Sequence, residues 1–309
     1  MLSKKSKIFI AGHNGMVGSS ILRHFKSKNY NKIYFIEKKK LNLLNQEKVF
    51  NYLKKIRPEF VILAAARVGG ILANQKMKSQ FLYENLQIQN NIIHGSYLSN
   101  VNNLIFLGSS CVYPKNCKQP IKEKYLLNGE LEKTNDAYAI AKISGIKMCE
   151  NYSREFGLNY KTLMPCNLYG PNDNYDSLSS HFFPALLKKI YFAKSQNKKI
   201  LNIWGTGRSK RELLHVDDLA NAIEFFLKKK IKEPYINIGL GYDRSIAWYA
   251  KFIMKKLNVN LKIKLNKKKP DGTYRKCLDI RKAKNYGWKP KISINNGFKM
   301  TLEDFIEKI

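Results

Sequence analysis

The sequence predicts an α/β fold, a doubly wound parallel sheet with helices on both faces followed by a smaller C-terminal α/β unit. Three observations predict it. Short, apolar, β-rich runs alternate with stretches of helical apolar spacing through the first half of the chain. A glycine-rich turn joins the first such run to the first helical stretch. After Pro171 the alternation gives way to loops, short helices and aromatic-rich pieces. The 309 residues are many for one compact core, which leads us to expect one domain over 1–170 and a second over 171–309, with room for a short return segment to the first sheet.

Residues 7–11 read KIFIA, a strand that runs into glycine, and 16–26 carry apolar positions at helical spacing. A second strand is expected at 32–36, a helix at 46–55 and an apolar strand at 60–64. Further strands are expected at 103–107 and 160–164, with a helix over 137–156 between them. Short connections between alternating elements imply right-handed crossovers and therefore parallel pairing. The sequence carries no internal repeat, low-complexity segment or long linker.

Composition excludes several classes. With 44% hydrophobic and 12% aromatic residues the chain can fill a core, so a predominantly disordered protein is excluded. No run of about 18 apolar residues exists for a membrane-spanning helix, and residues 1–7 are charged without an apolar stretch, so no cleaved export signal is expected. The cysteines Cys111, Cys117, Cys149, Cys166 and Cys277 are scattered, odd in number and without CxxC pairs. That pattern points to reduced thiols, a cytoplasmic location and no metal site. Lys+Arg 56 against Asp+Glu 23 gives a net charge of +33. The excess comes in pairs and triplets such as 38–40, 228–230 and 267–269, which is the pattern of a solvated lysine-rich surface. Neither a nucleic acid nor a membrane is expected as partner.

The turn Gly12-His13-Asn14-Gly15-Met16-Val17-Gly18 has GxxGxxG spacing between strand and helix. Gly12 suits the tight turn, Gly15 the close approach of backbone to a pyrophosphate, and Gly18 the packing of helix on sheet. Because the helix N-terminus also favours anions, the turn is read as the dinucleotide site of a Rossmann-type fold. The second strand ends at Glu37, where a carboxylate suits a ribose 2′-OH and NAD. Lys38 follows and suits a 2′-phosphate and NADP, so the residues leave both cofactors open.

Tyr138 and Lys142 are spaced i, i+4 and share one helix face. An ammonium near a phenol is expected to lower the phenol's pKa and make it a usable proton donor and acceptor. Ser109 lies at the end of a predicted strand, where a parallel sheet presents ligands, and completes a Ser–Tyr–Lys set. Cys111 should border the same pocket. A buried, inert thiol is the common alternative for it, as a surface position is for His181. Facing one substrate, the two would form an acid/base pair beside a ketone.

The strings FIAGHNGMVGS, LNLLN, AAARVGGI, LGSSCVYPK, QPIKE, AYAIAKISGIKMCE, MPCNLYGPNDN, SHFFPALLKK, RELLHVDDLA and KPDGTYRK run in order along nearly the whole chain. They resemble the GDP-L-fucose synthase family of extended short-chain dehydrogenases. The resemblance implies a bifunctional epimerase/reductase acting on GDP-4-keto-6-deoxy-D-mannose with NADP, NAD not being excluded. It implies Ser109, Tyr138 and Lys142 as the reductase triad. Cys111 and His181 would be the epimerase pair, Cys111 expected as base and His181 as acid, an order the residues leave open. It also implies cofactor contacts at the glycine turn, Lys142, Pro165, Cys166, Asn167, Leu168 and His181, nucleotide contacts at Lys189, Trp204, Arg211 and Asp271, and a homodimer. Taken alone, Lys189, Trp204 and Arg211 read as part of a solvated lysine pair, a core tryptophan and an Arg paired with a nearby carboxylate. His215 reads as structural.

Asn14 stands where the family often has an arginine, Cys166 where it often has threonine, and Lys189 replaces an arginine and its bidentate phosphate fork. The alternatives are a related GDP-sugar enzyme of the GDP-colitose type and a non-catalytic Rossmann sensor. A 4,6-dehydratase is disfavoured because Ser109-Ser110-Cys111 lacks the carboxylates such enzymes carry there.

Overall fold

The computed structural model describes residues 1–176, 179–269 and 271–309; Pro270, within the KPDGTYRK string, lies outside them. The chain opens with β1 (Ile8–Ala11), α1 (Met16–Ser27), β2 (Ile33–Tyr34), α2 (Gln46–Ile56), β3 (Phe60–Leu63), α3 (Ile71–Lys76), α4 (Lys78–Leu98) and β4 (Asn103–Leu107). It continues with α5 (Asp136–Phe156), β5 (Asn159–Pro165), β6 (Asn167–Tyr169), α6 (Phe182–Ser195), β7 (Ile200–Trp204), β8 (Lys210–Arg211), β9 (Leu213–His215) and α7 (Val216–Lys228). The remainder is β10 (Tyr235–Ile238), β11 (Arg244–Ser245), α8 (Ile246–Leu257), β12 (Lys262–Asn266), β13 (Arg275–Lys276), α9 (Arg281–Asn285) and α10 (Ile294–Glu307).

Six strands form one sheet in the order β10-β5-β4-β3-β1-β2, every pair parallel. β1 and β3 are buried at every position, as strands covered on both faces must be. From β1 the chain moves to the β2 edge and returns past β1 to β3. The strand order therefore reverses between β1 and β3, and ligands of such sheets lie outside the carboxyl ends of the strands at that point. β2 is shorter than the 32–36 expected. It has only β1 as neighbour, and after Tyr34 the chain leaves the sheet so that Phe35 meets the His13 ring at 4.7 Å.

Helices α6, α7, α8 and α10 have 14, 13, 12 and 14 residues, so the second half is more helical than its loop-rich sequence suggests. α7 packs on α1 and buries Leu219, Ala222, Ile223 and Phe226 in the core of the large sheet. Ser20 donates to Asp217 at 2.5 Å, and Tyr30 donates to Glu224 at 2.8 Å, where Lys228 is also paired at 2.6 Å. β10 follows α7 directly into the sheet beside β5. A second core gathers Phe183, Leu187, Ile190, Tyr249, Ile253, Phe298 and Phe305 between α6, α8 and α10. Around it stand the pairs β7/β12 and β6/β9 and the three-stranded β11-β8-β13. Among the described residues no helix is long and apolar enough to cross a membrane.

Candidate functional site

The glycine turn lies at the carboxyl end of β1. Gly12 has φ +93°, and a Cβ there would come within 2.6 Å of the Ala65 backbone. A Cβ at Gly18 would overlap the Gly12 carbonyl, so these two glycines are demanded by packing. Gly15 differs. Its φ of −75° suits any residue, and among the described residues the only atom near its Cβ position is Gly12 O at 3.7 Å, so the space above it is open. No side chain caps α1 and no acid occupies its first turn, which leaves its leading N–H groups to an anion. This cradle fits a dinucleotide pyrophosphate. Beside it a cavity of about 580 Å3 is lined by Asn14, Glu37, Lys38, Lys39 and Asn42, a lining that includes both the carboxylate expected to suit a ribose 2′-OH and the lysine expected to suit a 2′-phosphate. His13 is buried, and burial outweighs the nearby Glu37 charge to lower its pKa. Met16 and Val17 begin α1 itself.

At the carboxyl end of β4 the chain turns through a short 3-10 segment, Ser110–Val112, with the Ser109 hydroxyl accepting from Cys111 N at 3.2 Å. The i, i+4 spacing on α5 brings Tyr138 and Lys142 to the same place, the Lys142 Nζ lying 5.9 Å from the Tyr138 ring centre. Ser109 lowers the pKa of both the Tyr138 phenol and the Cys111 thiol, and Cys111 acts on Tyr138, so the three form one electrostatically coupled group. Lys142 donates to Leu107 O at 2.9 Å and lies over the Phe106 ring at 4.6 Å.

The expected effect of Lys142 on the phenol is not what this arrangement gives. Burial, and next the charge of Cys111, push the Tyr138 pKa up against the Ser109 hydrogen bond. Lys142 is turned to a backbone carbonyl, and burial pulls its own pKa down to about 7. Tyr138 therefore holds its proton firmly and is a hydrogen-bond donor across the neutral range. Cys111 behaves in the opposite way: burial pushes the thiol up, but Lys276, the Ser109 hydrogen bond and Arg211 outweigh it and hold the pKa below the ordinary thiol value. The Lys276 Nζ stands 3.5 Å from the sulfur.

His181 is the residue before α6, and burial lowers its pKa. Its segment is pinned to the loop after β3 by Gly70 N donating to Ser179 O at 2.8 Å. That loop leads to Phe81, whose ring lies edge-on to Tyr138 at 6.4 Å. Among the described residues His181 itself makes no hydrogen bond to the Ser109–Cys111–Tyr138 group. Pro165 ends β5, Cys166 is buried with its sulfur directed at Asn167 O at 3.5 Å, and Asn167 and Leu168 begin β6.

The nucleotide candidates converge from the second core. Lys189, whose pKa burial lowers, lies 5.7 Å from the Trp204 ring. Arg211 donates to Asp271 O at 3.2 Å, and the Asp271 carboxylate accepts from Thr206 N at 2.9 Å beside Gly205. Arg211 is the bridge between the two groups, since its charge also acts on Cys111. His215 caps α7, accepting from Asp217 N at 3.3 Å, in keeping with a structural residue.

Two residues of this neighbourhood escape sequence reading. Lys276 lies in the KPDGTYRK string but 165 positions from Cys111, and no local pattern signals the contact. Asn172 donates to Asn14 O at 2.9 Å and to Ser19 Oγ at 3.3 Å, while its own N–H and Oδ1 engage Asp304 and Lys308 of the C-terminal segment. Its φ of +67° is the one available signal, Asn being tolerant of that region. Among the described residues no cluster of metal-ligating side chains occurs.

A family model described as the NAD dependent epimerase/dehydratase family matches residues 8–239. The chain belongs to that family. Among this epimerase/dehydratase's relatives is a GDP-L-fucose synthase of Sinorhizobium fredii (strain NBRC 101917 / NGR234), 44% identical, the match spanning 98% of this chain and 96% of that protein. A GDP-L-colitose synthase of Yersinia pseudotuberculosis is 41% identical, over 98% of each. A GDP-6-OMe-4-keto-L-xylo-heptose reductase from C. jejuni superposes with TM-score 0.93 at 34% identity, over 100% of this chain and 99% of that one. A GDP-L-fucose synthetase from Naegleria fowleri bound to NADP does so with TM-score 0.90 at 27% identity, over 100% and 95%.

Proposed function

We propose that this epimerase/dehydratase-family protein converts GDP-4-keto-6-deoxy-D-mannose to GDP-L-fucose by epimerisation at C3 and C5 and reduction at C4. The observation that carries the reading is the Cys111 thiol, held below its ordinary pKa on the turn that Ser109 braces and within electrostatic reach of Tyr138. A reductase alone has no use for a nucleophilic base there, whereas an epimerase does. The relatives named above support a GDP-keto-sugar as substrate.

A ketone at C4 acidifies the C3 and C5 protons. Cys111 removes each proton as thiolate, the negative charge passes to the C4 oxygen, and Ser109 and Tyr138 donate hydrogen bonds to that oxygen. His181 returns a proton from the opposite face, its burial making the protonated ring ready to give the proton up. NADPH, when bound, supplies the hydride for C4. Tyr138 delivers its proton to the C4 oxygen, and because burial raises its pKa the proton is retained until that point.

Gly12, Gly15 and Gly18 with the N-terminus of α1 would hold the pyrophosphate, and Lys38 and Lys39 a 2′-phosphate, which supports NADP even without an arginine at Asn14. Residues 1–170, joined by the return segment α7–β10, serve the dinucleotide, and the rest of 171–309 the GDP-sugar, with Lys189, Trp204, Arg211 and Asp271 on the nucleotide. The similarity to the GDP-L-colitose synthase favours a second reading, epimerisation at C5 alone and reduction at C4 of a GDP-keto-sugar that lacks the C3 hydroxyl. Chromatography of the product from GDP-4-keto-6-deoxy-D-mannose and NADPH tests the proposal. GDP-L-fucose is expected; a GDP-6-deoxyhexose still in the D configuration would refute it.

A further inference from the structure

We infer that Lys276 is a positioning residue of the epimerisation, its ammonium set against the Cys111 sulfur to hold it as the thiolate base. The inference rests on the reading of Cys111 as base. The geometry is built from three sides. β13 pairs in parallel with β8 so that Lys276 lies in register with Arg211, and Glu212 N donates to Lys276 O at 3.2 Å. The next residue is clamped to the segment that follows the Cys111 turn, Cys277 N donating to Gln119 Oε1 at 3.0 Å and Ile121 N to Cys277 O at 2.7 Å. Strand alternation then separates the two neighbouring cations. Arg275 turns outward to the Asp243 carboxylate at 2.6 Å, while Lys276 Nζ reaches Cys111 Sγ at 3.5 Å. Among the described residues Lys276 takes part in no ion pair with a carboxylate, so its charge is free to act on the sulfur.

The other groups that act on Cys111 are Ser109, Arg211 and Tyr138. Arg211 also faces Asp271, Glu132 and Asp243, which share its charge. Tyr138 is a neutral phenol and Ser109 a neutral hydroxyl. Lys276 is therefore the cation whose removal leaves the sulfur least supported. In turnover the thiolate takes a proton from C3 or C5 and becomes a thiol, electrons move to the C4 oxygen, and the proton is later lost to solvent. Lys276 enters no bond change.

Site-resolved iodoacetamide alkylation of Cys111 across pH, read by mass spectrometry, tests this in the wild type, Lys276→Met and Lys276→Arg. The expected midpoint rises by about one pKa unit or more in Lys276→Met, a roughly tenfold loss of reactivity on the acid side, and returns towards the wild type in Lys276→Arg. Exchange of solvent deuterium into C3 and C5 should fall about tenfold in Lys276→Met near neutrality and recover at alkaline pH. Superimposable alkylation profiles would overturn the inference, as would a loss in Lys276→Met seen only as a higher substrate KM with an unmoved pH profile. The alkylation profile does not depend on the epimerase reading. If Cys111→Ser left exchange intact, that reading would fail while the Lys276–Cys111 pairing could still be scored.

Discussion

Gly15 separates a cofactor role from a folding role, because the structure gives its Cβ nothing to strike. Its backbone, φ −75° and ψ 166°, is open to any L residue, and Gly12 O at 3.7 Å is an ordinary contact. Gly15→Ala should therefore leave folding stability within about 1 kcal/mol of the wild type, the reduced freedom of the unfolded chain offsetting a poorer helix cap. The added methyl does occupy the space a pyrophosphate must enter. Forcing a methyl into a close contact costs about 1–3 kcal/mol, roughly a 5- to 150-fold rise in Kd. Calorimetric titration with NADPH gives the Kd and thermal unfolding of the free protein gives the stability. An unchanged Kd would refute the placement of the pyrophosphate, and a large fall in Tm without ligand would refute the claim that Gly15 is free of packing.

Gly18→Ala should behave in the reverse sense, since its Cβ would overlap Gly12 O; a loss of about 2–3 kcal/mol is expected, seen as a lower Tm without any ligand. Asn172→Gly keeps the +67° backbone accessible and removes the side chain that braces the glycine turn, so NADPH Kd should rise about fivefold, the worth of the bond to Asn14 O in the turn itself, with kcat held. Asp173 is buried, one carboxylate oxygen has no partner, and burial raises its pKa to about 7. A carboxyl whose folded pKa is raised contributes stability below its unfolded value and loses it as pH rises towards about 7. Asp173→Asn should therefore be about 2–4 kcal/mol more stable than the wild type at about pH 8 and nearly equal to it at about pH 4, by chemical denaturation at both. Lys38→Ala combined with Lys39→Ala should lower kcat/KM for NADPH about tenfold and leave NADH unaffected; equal losses would place the 2′-phosphate elsewhere.

The parts of the fold legible in the sequence are those fixed by local patterns. β1 and β3 are fully apolar runs, Gly12 and Gly18 are required by backbone geometry, and the four-residue spacing of Tyr138 and Lys142 sets one helix face. Each of these is written within a few consecutive residues. β2 is shorter than its apolar run because edge pairing depends on a neighbour, and the tail of the run turns to His13 instead. The helices of the second half are less legible because α7 and α10 draw their burial from distant partners, α1 and the cluster around Phe183 and Tyr249. Electrostatics was the least legible. Whether an ammonium lowers a neighbouring phenol depends on where it points, and Lys142 points to Leu107 O. A cation that does act on the site, Lys276, arrives by strand register from the far end of the chain.

The central claim is that one pocket epimerises before it reduces. Incubation of the protein with GDP-4-keto-6-deoxy-D-mannose and NADPH in D2O, with mass spectrometric location of deuterium in the product, tests it most directly. The account predicts deuterium at both C3 and C5 together with NADPH oxidation, and loss of that deuterium in Cys111→Ser. NADPH oxidation with no deuterium at either carbon would contradict it and leave a simple C4 ketoreductase.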